Sequence, residues 1–178
     1  MENRFNTRSM VVAALLCAIG ILIPLVSPIR FVIEPASFTL ASHVALFIAV
    51  FISPTTAVFV SLGTTLGFFL GGFPIVVVAR AFSQILFAFL GALYLKKYPN
   101  TFKSMGKTIT FAIVVSIIHS LGEILAVSPF YIGQSLSDLE YQRGYIYSIV
   151  GMVGVGTFIH SLVDFAIAYW IWKVIPKK

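Results

Sequence analysis

Six ionisable side chains interrupt the apolar stretches of this 178-residue sequence: His43, Arg80, His119, Glu123, His160 and Asp164. An ionisable group near the centre of a membrane helix costs roughly 2.5–3.5 kcal/mol, so each requires a partner, a wet cavity or a ligand. Arg80 carries a permanent charge on a planar fork that matches a carboxylate. Its partner is either Glu123, which would make the pair a structural tether, or the carboxylate of a small anionic ligand. In the second case Arg80 holds the carboxylate while aromatic side chains such as Phe73, Phe130, Tyr131, Tyr145 and Tyr147 cover the rest. Small-molecule sites have this composition, mostly apolar with a few placed polar groups.

A short echo links two of the apolar stretches: Ile118-His119-Ser120-Leu121-Gly122-Glu123 and Ile159-His160-Ser161-Leu162-Val163-Asp164. In each copy histidine and carboxylate are four residues apart, on one helical face. Two such pairs on facing helices would offer four N/O ligands to a transition metal. Against that reading, the two helices run antiparallel, which sets the pairs at different depths, and neither a cysteine ligand nor a His-rich entry segment accompanies them. The expectation is therefore hydrogen-bonded pairs, with no metal and no cofactor.

The elements that position these residues follow from composition. Hydrophobic residues make up 59% and charged residues 10% of the chain, and mean hydropathy is +1.01. An ordinary soluble domain has about 45–50% apolar and ~25% charged residues. A water-soluble globular protein is excluded, and the bilayer must supply the missing contacts. No ten-residue alternation suggests a barrel. Six apolar runs, Ser9–Ser27, Phe38–Ser53, Pro54–Gly71, Pro74–Leu95, Thr108–Val127 and Tyr145–Trp172, predict an all-α bundle of six transmembrane helices in a single membrane domain, residues 1–178.

Ser53-Pro54 divides the second run from the third, because proline lacks the N–H a helix interior needs but suits a first turn. Gly71-Gly72-Phe73-Pro74 divides the third from the fourth. Gly63 and Gly67 form a Gly-x3-Gly pair, and Gly151, Gly154 and Gly156 open the last helix; both groups suit close helix packing. Cys17 is the sole cysteine, so no internal disulfide can form. The first run is long and lacks a cleavage pattern, so it is expected to remain as helix one rather than be removed as a signal peptide.

The net charge of +6 is distributed as a topology signal rather than a nucleic-acid footprint. Arg4 and Arg8 precede the first helix, Lys96, Lys97, Lys103 and Lys107 follow the fourth, and Lys173, Lys177 and Lys178 follow the sixth. Six helices put these clusters on one side, so both termini are predicted to be cytoplasmic. The other side carries Arg30, Glu34, Asp138, Glu140 and Arg143. In this orientation Arg80, Glu123 and His43 lie toward the outer ends of their helices, where His119 and Glu34 of the first outer loop, Pro28–Ser37, would join them around an outward-facing pocket.

No Gly-x-Ser-x-Gly elbow or His-Glu-x-x-His motif supports an enzyme, although a small intramembrane enzyme is the alternative from another class. No filter sequence supports a channel. The chain has no Gly-x4-Gly-Lys-Ser/Thr loop, so it would not be a complete nucleotide-driven pump. A small binding subunit of a larger transporter fits these features.

The length, the six runs and the start Arg8 … Ala14-x3-Ala18 resemble the substrate-binding S components of energy-coupling-factor vitamin transporters. The segments Glu34-Pro35-Ala36-Ser37-Phe38-Thr39-Leu40-Ala41-Ser42-His43 and Gly63-Thr64-Thr65-Leu66-Gly67-Phe68-Phe69-Leu70-Gly71-Gly72-Phe73-Pro74 look most like the niacin-type members. The resemblance implies high-affinity vitamin binding near the outer face of the cell membrane. It also implies association with a transmembrane T component and two ATPase subunits through the Ala14/Ala18 face of helix one, followed by toppling to release the vitamin inside. Nicotinate, a flat ring with one carboxylate, suits a pocket built on Arg80; pantothenate, biotin and folate also carry a carboxylate.

Overall fold

The computed structural model describes residues 7–26, 30–33 and 36–175. The elements run α1 (Thr7–Val26), β1 (Arg30–Ile33), β2 (Ala36–Thr39), α2 (Val44–Ile52), α3 (Pro54–Leu70), α4 (Ile75–Lys97), a 3-10 turn (Thr101–Lys103), α5 (Met105–Ile132), a short α6 (Asp138–Arg143), a π-helical stretch (Ile146–Val155) and α7 (Gly156–Val174). Among the described residues, three helical segments are long and apolar enough to cross a membrane: Ile75–Lys97, Met105–Ile132 and the continuous Ile146–Val174. Large apolar side chains such as Leu66, Leu70, Leu125, Ile132 and Trp170 remain exposed on the bundle, as expected where lipid rather than water surrounds it.

The expected breaks are present and have local causes. Ser53 is extended, its side chain accepts a hydrogen bond from the Thr56 N–H at 3.1 Å, and Pro54 starts α3. This is a serine N-cap with proline in the first turn. Gly72 adopts φ 73°, and α4 begins directly after Pro74.

Other boundaries differ from expectation. The run Phe38–Ser53 is not one helix: Phe38 and Thr39 belong to an antiparallel hairpin in which Phe38 pairs Phe31 and Arg30 pairs Thr39. Alpha2 therefore keeps nine residues, a rise of about 13 Å, less than half a ~30 Å hydrocarbon core. His43 occupies the N-cap position of this short helix without a capping side-chain hydrogen bond. Alpha5 extends beyond Thr108–Val127 at both ends and carries Pro129 in its last turns. The acidic loop contains α6, opened by a Ser137–Glu140 capping box. The last helix enters as a π-helix, whose wider turn accompanies the glycines at 151 and 154.

Two apolar clusters hold the bundle. The larger joins Phe47, Val50, Phe87, Phe111, Val115 and Phe165, with the Phe47 and Phe165 rings edge to face at 5.5 Å. The smaller joins Val127, Ile149 and Val153. Along α5 the polar residues His119 and Glu123 lie between Val115 of the first and Val127 of the second. Along the last helix Thr157, Ser161 and Asp164 lie between Val153 and Phe165. The ionisable residues thus form a layer enclosed by apolar packing along both helices.

Helix α1 packs on α3. A Cβ added at Gly63 would stand 1.9 Å from Cys17 Sγ, so the Gly-x3-Gly pair gives α1 its close approach. Cys17 is a packing residue there, directed at the Val60 carbonyl at 3.9 Å.

Candidate functional site

Arg80, on α4, and Glu123, on α5, form the centre of the layer and are 6% and 2% exposed. Arg80 Nε and Nη2 both donate to Glu123 Oε2, at 2.9 and 2.7 Å. Thr157 Oγ1 donates to the same oxygen at 2.6 Å. Three donors on one carboxylate oxygen satisfy a buried anion that would otherwise be very costly. His119 Nε2 faces the other oxygen, Oε1, at 3.3 Å, but the angle is poor and this buried nitrogen has no well-directed hydrogen bond. His119 Nδ1 meets Ser161 Oγ at 3.2 Å, and its ring packs on Phe87 at 4.3 Å.

The second carboxylate, Asp164, is fully buried and organises the start of α2. It accepts the backbone N–H of Ala41 on Oδ1 at 2.9 Å and that of His43 on Oδ2 at 2.8 Å. Ala41 has φ 67°, an uncommon left-handed conformation for a residue with a Cβ. These two bonds pin the strained turn between the hairpin and α2. His43 Nδ1 and His160 Nε2 each lie 3.2 Å from Asp164 Oδ2. Ser42 Oγ contacts the same two ring nitrogens at 3.2 and 3.1 Å, and Gln84 Nε2 meets His43 Nε2 at 3.0 Å.

His43 joins the two His-x3-carboxylate pairs, its ring 4.8 Å from that of His119 and 5.0 Å from that of His160. The expectation that antiparallel helices separate the pairs holds for the carboxylates and fails for the histidines. Glu123 is level with Thr157 and His119 with Ser161, so the carboxylates splay apart while the imidazoles converge.

Of the residues singled out in the sequence, Arg80, Glu123, His119 and His43 come together. Tyr131 and Tyr145 do not join them. Their rings pack on each other at 5.3 Å, with Tyr131 on Tyr141 and the Tyr145 hydroxyl 2.8 Å from Ser128 Oγ. Tyr131 sits two turns further along α5 and Tyr145 at the head of the π-helical stretch, both beside the smaller apolar cluster. Phe73 packs on Phe68 at 4.7 Å and Tyr147 lies by Arg143 at 5.7 Å, both away from Arg80. The ring that does face Arg80 is Phe38 of β2, 5.8 Å from the guanidinium carbon and 5.4 Å from the His160 ring. A Cβ on Gly156 would meet Phe38 at 2.6 Å, so the glycine makes room for that ring. Glu34 lies outside the described residues. Ala14 and Ala18 are exposed on α1, and Ala14 borders an apolar groove of about 470 Å³ with Met10, Val11, Thr55 and Phe59.

Sequence reasoning missed Gln84, Thr157 and Ser161, although the signal was present. Gln84 is one turn after Arg80, and Thr157, Ser161 and Asp164 repeat at helical spacing. Phe38 and Ser42 enter the sequence reading only as members of the segment from Glu34 to His43, because the hairpin and the turn after it bring them to this layer.

Apolar helices long enough to cross a membrane, packed around a buried layer of ionisable side chains, define a multi-pass membrane protein. No family model matches the chain, and no solved structure matches it significantly. The chain is similar to the niacin transporter NiaX of Lactococcus lactis subsp. cremoris (strain MG1363), with 37% identity over 176 residues, covering 98% of this chain and 78% of that relative. The chain therefore belongs to the NiaX family, the niacin-type S components of vitamin transporters.

Proposed function

We propose that this protein is the niacin-binding S component of an energy-coupling-factor importer, working with a transmembrane T component and two ATPase subunits. Its 178 residues act as one membrane domain with six crossings and both termini in the cytoplasm, the second crossing being made by β2 and the nine-residue α2 together rather than by one spanning helix. Nicotinate binds at the Arg80 layer, its carboxylate on the guanidinium and its ring against Phe38, His43, His119 and His160. The observation that carries this reading is the arrangement of Arg80. Nε and Nη2 are held by Glu123, which fixes the fork in an apolar interior and leaves Nη1 outside the pair to meet an anion. In this reading Glu123 and His119 orient the arginine, and His43 lines the ring. Tyr131 and Tyr145 close the neighbouring end of the bundle, and Glu34 belongs to the loop that covers the site.

The Ala14/Ala18 face of α1 docks the T component. Exposed small residues there, flanked by exposed Met10, Val11, Leu15 and Leu22, let a partner helix approach closely. A thermal-stability screen of the purified protein against a vitamin panel tests the substrate assignment. Nicotinate raises the unfolding temperature and pantothenate, biotin and folate do not; stabilisation by one of those three alone would replace nicotinate as the substrate. Co-purification with a T component that is lost in an Ala14→Leu/Ala18→Leu variant tests the docking face.

A further inference from the structure

We infer that His43, His160 and Asp164, with Ser42 beside them, form a binding site for one divalent first-row transition metal ion. Four donor atoms close a ring: Ser42 Oγ to His43 Nδ1 at 3.2 Å, His43 Nδ1 to Asp164 Oδ2 at 3.2 Å, Asp164 Oδ2 to His160 Nε2 at 3.2 Å, and His160 Nε2 to Ser42 Oγ at 3.1 Å. A tetrahedral zinc site with N/O bonds of about 2.0–2.2 Å spaces its donor atoms about 3.3–3.6 Å apart. Each of these four edges needs to lengthen by only a few tenths of an ångström to reach that spacing. Two imidazoles and a carboxylate are a suitable ligand set for zinc, nickel or cobalt.

Two features favour an ion over hydrogen bonds alone. Asp164 Oδ2 already accepts the His43 backbone N–H at 2.8 Å. Adding both imidazole N–H groups would put three donors on this oxygen, a load that Glu123 Oε2 carries with two of its three donors coming from the charged Arg80 fork. The second feature is charge. Glu123 has Arg80 as counter-ion, whereas Asp164, equally buried, has no Arg or Lys ion pair among the described residues and meets only amide N–H groups and imidazoles. A bound cation neutralises it where no side chain carries a permanent positive charge. The remaining nitrogen of His43 is held by the Gln84 amide at 3.0 Å. There the amide nitrogen faces the ring, so ligation through Nδ1 turns the Gln84 amide over, its oxygen then accepting from Nε2–H, a typical support for a metal-bound histidine. The other triad, His43, His119 and Glu123, has Arg80 at its carboxylate and is the poorer cation site.

The test uses tag-free, full-length protein, stripped with a chelator and titrated with Zn2+ and, separately, Co2+. Uptake of one equivalent is expected, with the strong visible absorption of four-coordinate cobalt. His160→Gln, which leaves both backbone bonds to Asp164 in place, weakens binding at least tenfold. Asp164→Asn does the same, and His119→Gln leaves it unchanged. Absence of saturable uptake by the wild type, uptake unaltered in a folded His160→Gln, or loss confined to His119→Gln would overturn the assignment. Nicotinate binding is a separate measurement on the same preparation, so either result stands without the other.

Discussion

Arg80 and Glu123 meet through a single carboxylate oxygen, with Nε at 2.9 Å and Nη2 at 2.7 Å, deep in the bundle. The pair ties α4 to α5, and Thr157 ties the same oxygen to α7. Removing one partner strands a charge in an apolar interior, a loss of about 3–5 kcal/mol. Glu123→Gln is therefore expected to lower the unfolding temperature in detergent markedly. The double variant Arg80→Met/Glu123→Gln recovers much of that loss, since no charge is left behind. Equal destabilisation by the single and double variants would contradict this account of the pair.

Gly63 and Cys17 are a second coupled pair. Gly63→Ala drives a methyl group into Cys17 Sγ, at a cost of about 1–3 kcal/mol for overpacking. Cys17→Gly/Gly63→Ala removes the collision and regains stability, measured as a double-mutant cycle in thermal unfolding. Additive losses in the cycle would show that α1 does not lie on α3 as described.

Gly156 sets the position of Phe38. Gly156→Ala pushes the Phe38 ring out of the layer that contains Arg80 and His160. Nicotinate affinity is expected to fall at least tenfold, with partial recovery in Phe38→Ala/Gly156→Ala. Unchanged affinity in Gly156→Ala would remove Phe38 from the wall of the site.

The sequence carries the features of this fold that are set locally. Ser53-Pro54 and Gly71–Pro74 mark chain breaks because a cap hydroxyl, a missing N–H and a left-handed glycine act within a few residues. The Arg80–Glu123 pair is legible as one of two alternatives, because an arginine in an apolar run demands an anion. The sequence places Phe38 and Thr39 at the head of a helix, rather than at the end of the first outer loop, because Phe38-Thr39-Leu40-Ala41 is as apolar as the helix that follows it. The strand-favouring run Phe31-Val32-Ile33, an aromatic followed by two β-branched residues with Pro35 beyond, is the signal for extended chain. The role of His43 lies in tertiary structure alone. Asp164, 121 residues away, fixes the turn that carries it, and no local pattern in the sequence encodes that contact.

The proposed orientation predicts sides. In a Cys17→Ala background, a cysteine at Lys103 is expected to be protected from an impermeant maleimide in intact cells and labelled after lysis, whereas a cysteine at Ser135 labels in intact cells. Both positions lie in connections between the helices that flank α5. The reverse pattern would invert the topology.

The central claim is that nicotinate binds at Arg80, and equilibrium binding of labelled nicotinic acid to the purified chain tests it most directly. The expected result is tight one-to-one binding by the wild type without any ATPase partner. Arg80→Ala is expected to abolish it while the variant still unfolds cooperatively. Tight binding that persists in a folded Arg80→Ala variant would contradict the account.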